Sequence, residues 1–306
     1  MTNQSQSEER LLSITEHPEF SAIQVPQKQD PLELVVFRAF RALLNNVGYL
    51  SPATRNTFAR IDSNHKFYRT LKQFDKIGER ETIKIGVIYV GNDQESARDL
   101  IKNEQGSPLY NEFIQGLGWD VDLKTHVGFM GGLDANLSTG THAPYYANST
   151  TEVIFHVVTS MPTKPNDQQQ IHKKRHIGND IVHIVWSEHD KDYRPWTITS
   201  QFNFVHIVIY PLKDPFYRIQ IYAKPEVPPF GPLVNGMIVD KKVLAPLVRM
   251  TAMNANKAVR YSTEGYNKPY PTRRAMINEI VDRFKMNGVK NEDFLKPLFF
   301  DQIYAG

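Results

Sequence analysis

Five short apolar runs constrain this chain more than any other feature: Lys84–Val90, Val153–Thr159, Ile181–Trp186, Phe204–Tyr210 and Tyr217–Tyr222. Their hydrophobicity is nearly continuous, which predicts strands of a sheet covered on at least one face. The covering helices are expected between and after them. Helical segments fall near 94–103 and 107–117, before the Gly-rich stretch Gly128-Phe129-Met130-Gly131-Gly132. A polar segment around 167–177 separates the second and third runs. The proline-rich stretch Lys224–Pro232 reads as a loop, because proline supports neither a ladder nor a helix interior. Beyond it, Pro246 is placed to start a helix whose face carries Val248, Ala252, Ala255 and Val259, with further helices near 270–286 and 291–299. The expected fold class is α/β: a central, mostly buried β-sheet flanked by helices, with an N-terminal helical extension.

That extension is read over residues 30–80, after a flexible polar segment at 1–29, with the main domain over 81–306. Asp30 is a candidate N-cap, with Pro31 in the first turn and Glu33 closing the box. Phe37, Phe40, Leu44 and Val47 recur at helical spacing, Gly48 suits the C-terminal cap, and a second helix is expected near 66–77.

Composition removes several function classes. The net charge of +3 in 306 residues gives no overall pull toward nucleic acid or a membrane surface. Absence of cysteine excludes disulfides, thiolate zinc sites and thiol nucleophiles together. No uninterrupted apolar stretch of ~18–20 residues predicts an integral membrane segment, and the N-terminus lacks a signal pattern. A soluble cytoplasmic protein is the expectation. The turn Val90-Gly91-Asn92-Asp93 carries neither phosphate-binding glycine motif, so no nucleotide site of the chain's own is expected. Histidines concentrate at 172, 176, 183 and 189. His172 and His176 stand one helical turn apart, but Lys173, Lys174 and Arg175 between them disfavour a bound metal ion.

The segment Asp167 to Asp180 holds the densest polar chemistry. Asp167 can cap a helix with Gln170 completing a box, and the cationic run Lys173 to His176 suits a helix C-terminus. On that helix Arg175 and His176 flank Asn179 at spacings of four and three. Two readings remain open on this local chemistry. Gly178-Asn179-Asp180 is what a plain C-cap and turn looks like, with the cations a solvated face; alternatively the asparagine is functional.

Lys-Lys-Arg-His-Ile-Gly-Asn-Asp followed by Ile-Val-His-Ile-Val-Trp resembles the signature of the Rap/Ral/tuberin GTPase-activating family, the RapGAP domain. The likeness runs from about 81 to 262. It takes in Gly106-Ser107-Pro108, Leu117-Gly118-Trp119, Gly128 to Leu133, Pro144-Tyr145-Tyr146-Ala147 and Glu152 to Val157. Trp186-Ser187-Glu188-His189 and Lys224 to Leu233 are most similar to the catalytic α subunits of the Ral-directed branch. The resemblance implies activation of a Ras-superfamily small GTPase, Ral first and then Rap or Rheb. Asn179 would be an "asparagine thumb" placed beside the γ-phosphate, where it replaces a water-positioning glutamine. His176 would support the thumb's helix, and Lys173, Lys174, Arg175 and Phe202 would face the GTPase. No cofactor of its own is implied, since GTP and magnesium belong to the partner; a β-type subunit or self-association, and membrane recruitment through the GTPase, are compatible. The alternative is a non-catalytic GTPase-binding or heteromer-scaffolding domain of the same fold, from which an intact Asn179 distinguishes it.

Overall fold

The computed structural model describes residues 39–40, 42–49 and 61–286, apart from positions 199 and 214. The segment 1–29, the cap at Asp30–Glu33 and the helix expected near 291–299 lie outside the described residues. The chain divides into two compact units, one comprising 1–69 with 279–306 and the other 70–278. Of the first, a helical turn over 42–46 closes as its sequence suggested. Tyr49 N donates to Leu44 O (2.9 Å) and Gly48 N to Asn45 O (3.0 Å), with Gly48 at φ +78°. That bond pair with a left-handed glycine is a Schellman cap. In the same unit Asp62 N donates to Phe284 O at 2.8 Å, and the Phe67 and Phe284 rings meet edge-on.

The described elements in chain order are α1 (His65–Phe74), β1 (Glu81–Val90), α2 (Ala97–Lys102), α3 (Pro108–Gly116), β2 (Trp119–Asp122), β3 (His142–Ala147), β4 (Thr151–Val157), α4 (Ile171–Ile177), β5 (Val182–Ser187), β6 (Val205–Pro211), β7 (Phe216–Ala223), β8 (Ile238–Asp240), α5 (Lys241–Ser262) and α6 (Pro269–Phe284). The second unit is built on one eight-stranded sheet of order β2-β3-β4-β1-β5-β6-β7-β8. Its centre, β4-β1-β5-β6, is parallel, and antiparallel pairs extend it on both sides. The five apolar runs are β1, β4, β5, β6 and β7. Parallel neighbours require crossovers, so helices cover both faces of the centre and its strands become mostly apolar.

The alternation of side chains sorts the strands onto two cores. Ile83, Ile85 and Val87 of β1 join Val153, Phe155, Val182, Ile184, Val205 and Ile207 beneath α3 and α5. Trp186 is fully buried there, its ring 5.3 Å from Phe113 and 5.4 Å from Tyr217. On the opposite face Ile88, Val90, Val185 and Val208 pack with Leu100 and Ile101 of α2 and Ile177 of α4. This second face holds the site.

Two expected helix starts are corrected. α5 begins at Lys241, where Asp240 caps it by accepting from Lys242 N at 2.8 Å, and Pro246 lies inside. Pro246 is exposed, so the Lys242 carbonyl it cannot serve faces water. α4 begins at Ile171, with Gln170 rather than Asp167 at its N-cap, in the left-handed region. Gln170 is buried, and its carboxamide bonds to the Lys164 and Asp167 carbonyls instead of closing a box. The Asp167 carboxylate still accepts from His172 N at 3.2 Å, reaching the helix from outside.

Candidate functional site

α4 is short, and its buried face is largely polar while apolar Ile171 is exposed. Lys173, His176 and Ile177 are buried, at the i, i+3, i+4 spacing of one helix face, while Arg175 and the following Asn179 are exposed. The expectation that Lys173 belongs to a partner-facing basic run is therefore corrected. Its side chain is wholly buried, with Nζ donating to Thr163 Oγ1 (3.0 Å) and Asn103 O (3.3 Å). Burial pushes its ammonium down to about 8. Lys173 ties α4 to the loops after α2 and β4. Lys174 is half-buried, and Arg175 projects outward.

Asn179 stands at the end of this helix. Its Nδ2 donates to Arg175 O at 2.6 Å and its backbone N to His176 O at 3.1 Å, so it does cap α4. Among the described residues its Oδ1 has no hydrogen-bond partner. The open alternatives of cap or functional group are thus not exclusive, because the nitrogen caps and the oxygen stays available.

His176 lies buried beside it. Its ring meets His156 edge-on at 5.2 Å, and its Nε2 is 3.4 Å from the Arg175 Nε that donates to it. Burial first, then His156, Arg175 and Lys84, push it down to about 4, so it is neutral at physiological pH. His172 turns away, bonded to Asp167 Oδ2 (3.1 Å) and Pro162 O (2.6 Å). Among the described residues no group of three or more His, Cys, Asp or Glu is arranged to hold a metal.

Beneath Asn179 lies a polar layer that sequence reasoning missed. The ladder places Gly86 opposite both His156 and His183, and His183 opposite His206, so these four form a row across β4, β1, β5 and β6. Asp180 is fully buried against the row, with Oδ2 2.7 Å from His156 Nδ1. His183 Nε2 reaches Ile177 O at 2.8 Å, and Asn203 Nδ2 donates to Asp180 O at 2.6 Å. Gly86 leaves the necessary room: a Cβ there would lie 2.8 Å from His183 Cδ2 and 3.3 Å from Asp180 Oδ2.

Phe202 is 55% exposed, which rules out its being a core aromatic. Its loop is fixed to the helix end, since Ser200 Oγ donates to Gly178 O and accepts from Phe202 N at 3.1 Å. Lys224 Nζ donates to Gln201 O at 2.8 Å while lying over the Phe204 ring. An apolar ring and a carboxamide oxygen are thereby presented from two loops joined through Ser200, with Lys174 and Arg175 alongside.

The sequence places this α/β fold in a class: the chain belongs to the Rap/ran-GAP family, whose model matches residues 100–279, more than half of it. Over 259 residues, 85% of its length, it is 46% identical to the Ral GTPase-activating protein subunit alpha-2 of Mus musculus. Over 280 residues, 92% of its length, it is 45% identical to the Ral GTPase-activating protein subunit alpha-1 of Homo sapiens. It spans only 14% of the length of either relative. Among solved structures the TSC2 GAP domain matches with a TM-score of 0.55 and 38% identity, over 58% of this chain and 96% of that one.

Proposed function

We propose that this chain is a GTPase-activating domain that accelerates GTP hydrolysis by a Ras-superfamily small GTPase, supplying Asn179 in trans. The observation that carries this reading is the state of the Asn179 carboxamide: exposed, anchored through Nδ2 to Arg175 O, with Oδ1 available. Phosphoryl transfer asks little covalent help of a protein; orienting the attacking water and placing dipoles at the developing charge lower the barrier. An anchored amide oxygen can accept from a water proton and so aim its lone pair, and an amide has no pKa to tune. GTP and magnesium would be held by the partner.

Ral is the first candidate substrate, because the relatives of highest identity quoted above are named for it; Rap and Rheb follow. His176, neutral and wedged against His156, would support the helix end. Lys174 and Arg175 would meet acidic groups of the GTPase, and Phe202 an apolar one. The relatives' designation as alpha subunits supports a further β-type subunit in the assembly. No described helix is long and apolar enough to cross a membrane.

The test is single-turnover hydrolysis on a panel of Ral, Rap and Rheb proteins loaded with GTP. Acceleration on the order of 10⁵-fold is the scale reached when a missing group is supplied in trans. Acceleration of Ral above the others is the expected result. Binding of a GTPase without faster hydrolysis would instead identify a scaffolding domain.

A further inference from the structure

An exposed side chain at a helix end ordinarily samples several rotamers, and productive geometry tolerates errors of only about 0.5 Å. What holds Asn179 in place must then act on the backbone around it. The last carbonyls of α4 are all engaged. Lys174 O accepts from Gly178 N (2.7 Å), Arg175 O from Asn179 Nδ2, and His176 O from Asn179 N. Ile177 O accepts from Asp180 N (3.1 Å), His183 Nε2 (2.8 Å) and Asn203 Nδ2 (3.3 Å). Gly178 O accepts from Ser200 Oγ, and Asp180 O from Asn203 Nδ2. The peptide before Asn179 is thus tied to Ser200 and His176, and the peptide after it to Ile177, whose carbonyl is held by His183 of β5.

Stability alone does not account for this layer. Asp180 Oδ1, His156 Nε2, His183 Nδ1, Asn203 Oδ1 and His206 Nε2 are buried without a hydrogen-bond partner among the described residues. Burying polar atoms without partners is costly, so an apolar layer of the same shape would stabilise the fold more. Four strands converge on this layer at one level, and the one residue in the row without a side chain, Gly86, is where a Cβ would press on Asp180 and His183.

We infer that Asp180 and Asn203 are positioning residues for Asn179: Asp180 anchors the following peptide through His156, and Asn203 clamps the carbonyls of Ile177 and Asp180. The inference rests on the reading of Asn179 as the group offered to the GTPase. It predicts a carboxamide ordered before any partner arrives.

The experiment combines nuclear magnetic resonance of the Asn179 side-chain amide, assigned with Asn179→Ala, and single-turnover kinetics with GTP-loaded Ral. In wild type the two Nδ2 protons should give one dispersed pair, as ordered as the α4 backbone. Asp180→Asn and Asn203→Ala should shift and broaden that pair. They should lower the maximal hydrolysis rate about 100-fold, the scale of a misplacement near 1 Å, at a half-saturating concentration unchanged within about twofold. Gly86→Ala, which removes no polar group, should act in the same direction.

Averaged wild-type signals typical of a free asparagine overturn the inference without any variant. So do folded variants whose Asn179 signals and maximal rates match wild type, or rates that fall only in proportion to lost folded protein. Shifted signals with Asn179→Ala as active as wild type would leave the positioning intact and remove the thumb reading.

Discussion

Lys173 shows how burial changes what a residue type means. In sequence it is one of four adjacent potentially cationic positions, yet its ammonium sits against Thr163 and Asn103 with no exposure. Lys173→Ala removes packing along its stem and leaves those acceptors unserved, so it should destabilise the fold by about 1–3 kcal/mol in urea unfolding. Per folded molecule its affinity for the GTPase should be unchanged, whereas Arg175→Ala should weaken binding without moving the unfolding midpoint. The histidines make a pH prediction. His176 is held down to about 4 and His206 to about 3, both chiefly by burial, and His183 is lowered as well. The unfolded chain then binds more protons than the folded one below the ordinary value of 6.5. Their neutral-state stabilisation is complete above about 6.5 and is lost as pH falls toward 4. Denaturation midpoints should drop steadily from about pH 6.5 downward, and rise slightly above pH 7 as Lys173, lowered to about 8, loses its proton in the folded state.

At the scale of elements, legibility followed burial. β1, β4, β5 and β6 stood out because strands covered on both faces carry little polar alternation, and β7 because buried Tyr217 and Ile219 alternate with Arg218 and Gln220. β2, β3 and β8 did not: Trp119–Asp122 is short and mostly exposed, His142–Ala147 contains Pro144, and Ile238–Asp240 has three residues. Their pairing is imposed by the neighbouring strands, which a local pattern does not record. α5 was legible in its apolar face but not in its start, since Asp240 outweighs a proline that the exposed face of a second turn tolerates. The histidine row had a signal that spacing within one segment could not reveal. His156, His183 and His206 each interrupt an otherwise apolar strand, and only the parallel register brings them level. Trp186, packed among Tyr110, Phe113 and Tyr217, joins β5 to α3 and β7. Trp186→Ala should cost about 3–5 kcal/mol, read as a lowered unfolding midpoint.

For the whole molecule, the placement of Asn179 matters as much as its chemistry. Open α/β sheets bind their own ligands beyond the carboxyl ends of the parallel strands. Asn179 stands instead just before β5, at the amino end, exposed at the terminus of α4. That position suits a group presented to another protein's active site. Family likeness, more than spacing, is what singles out this segment and Asn179 in the sequence. It could not reach the anchoring, because His156, the pair Asp180 and His183, and Asn203 come from three separate stretches of the chain.

The central claim is that the Asn179 oxygen does the work in trans. Hydrolysis of GTP by Ral should be measured in single turnover with wild type and Asn179→Ala, together with the affinity of each for the GTP-loaded partner. Asn179→Ala should lose about 10³-fold or more in maximal rate, with binding and unfolding midpoint essentially unchanged. Equal acceleration by the two proteins would contradict it.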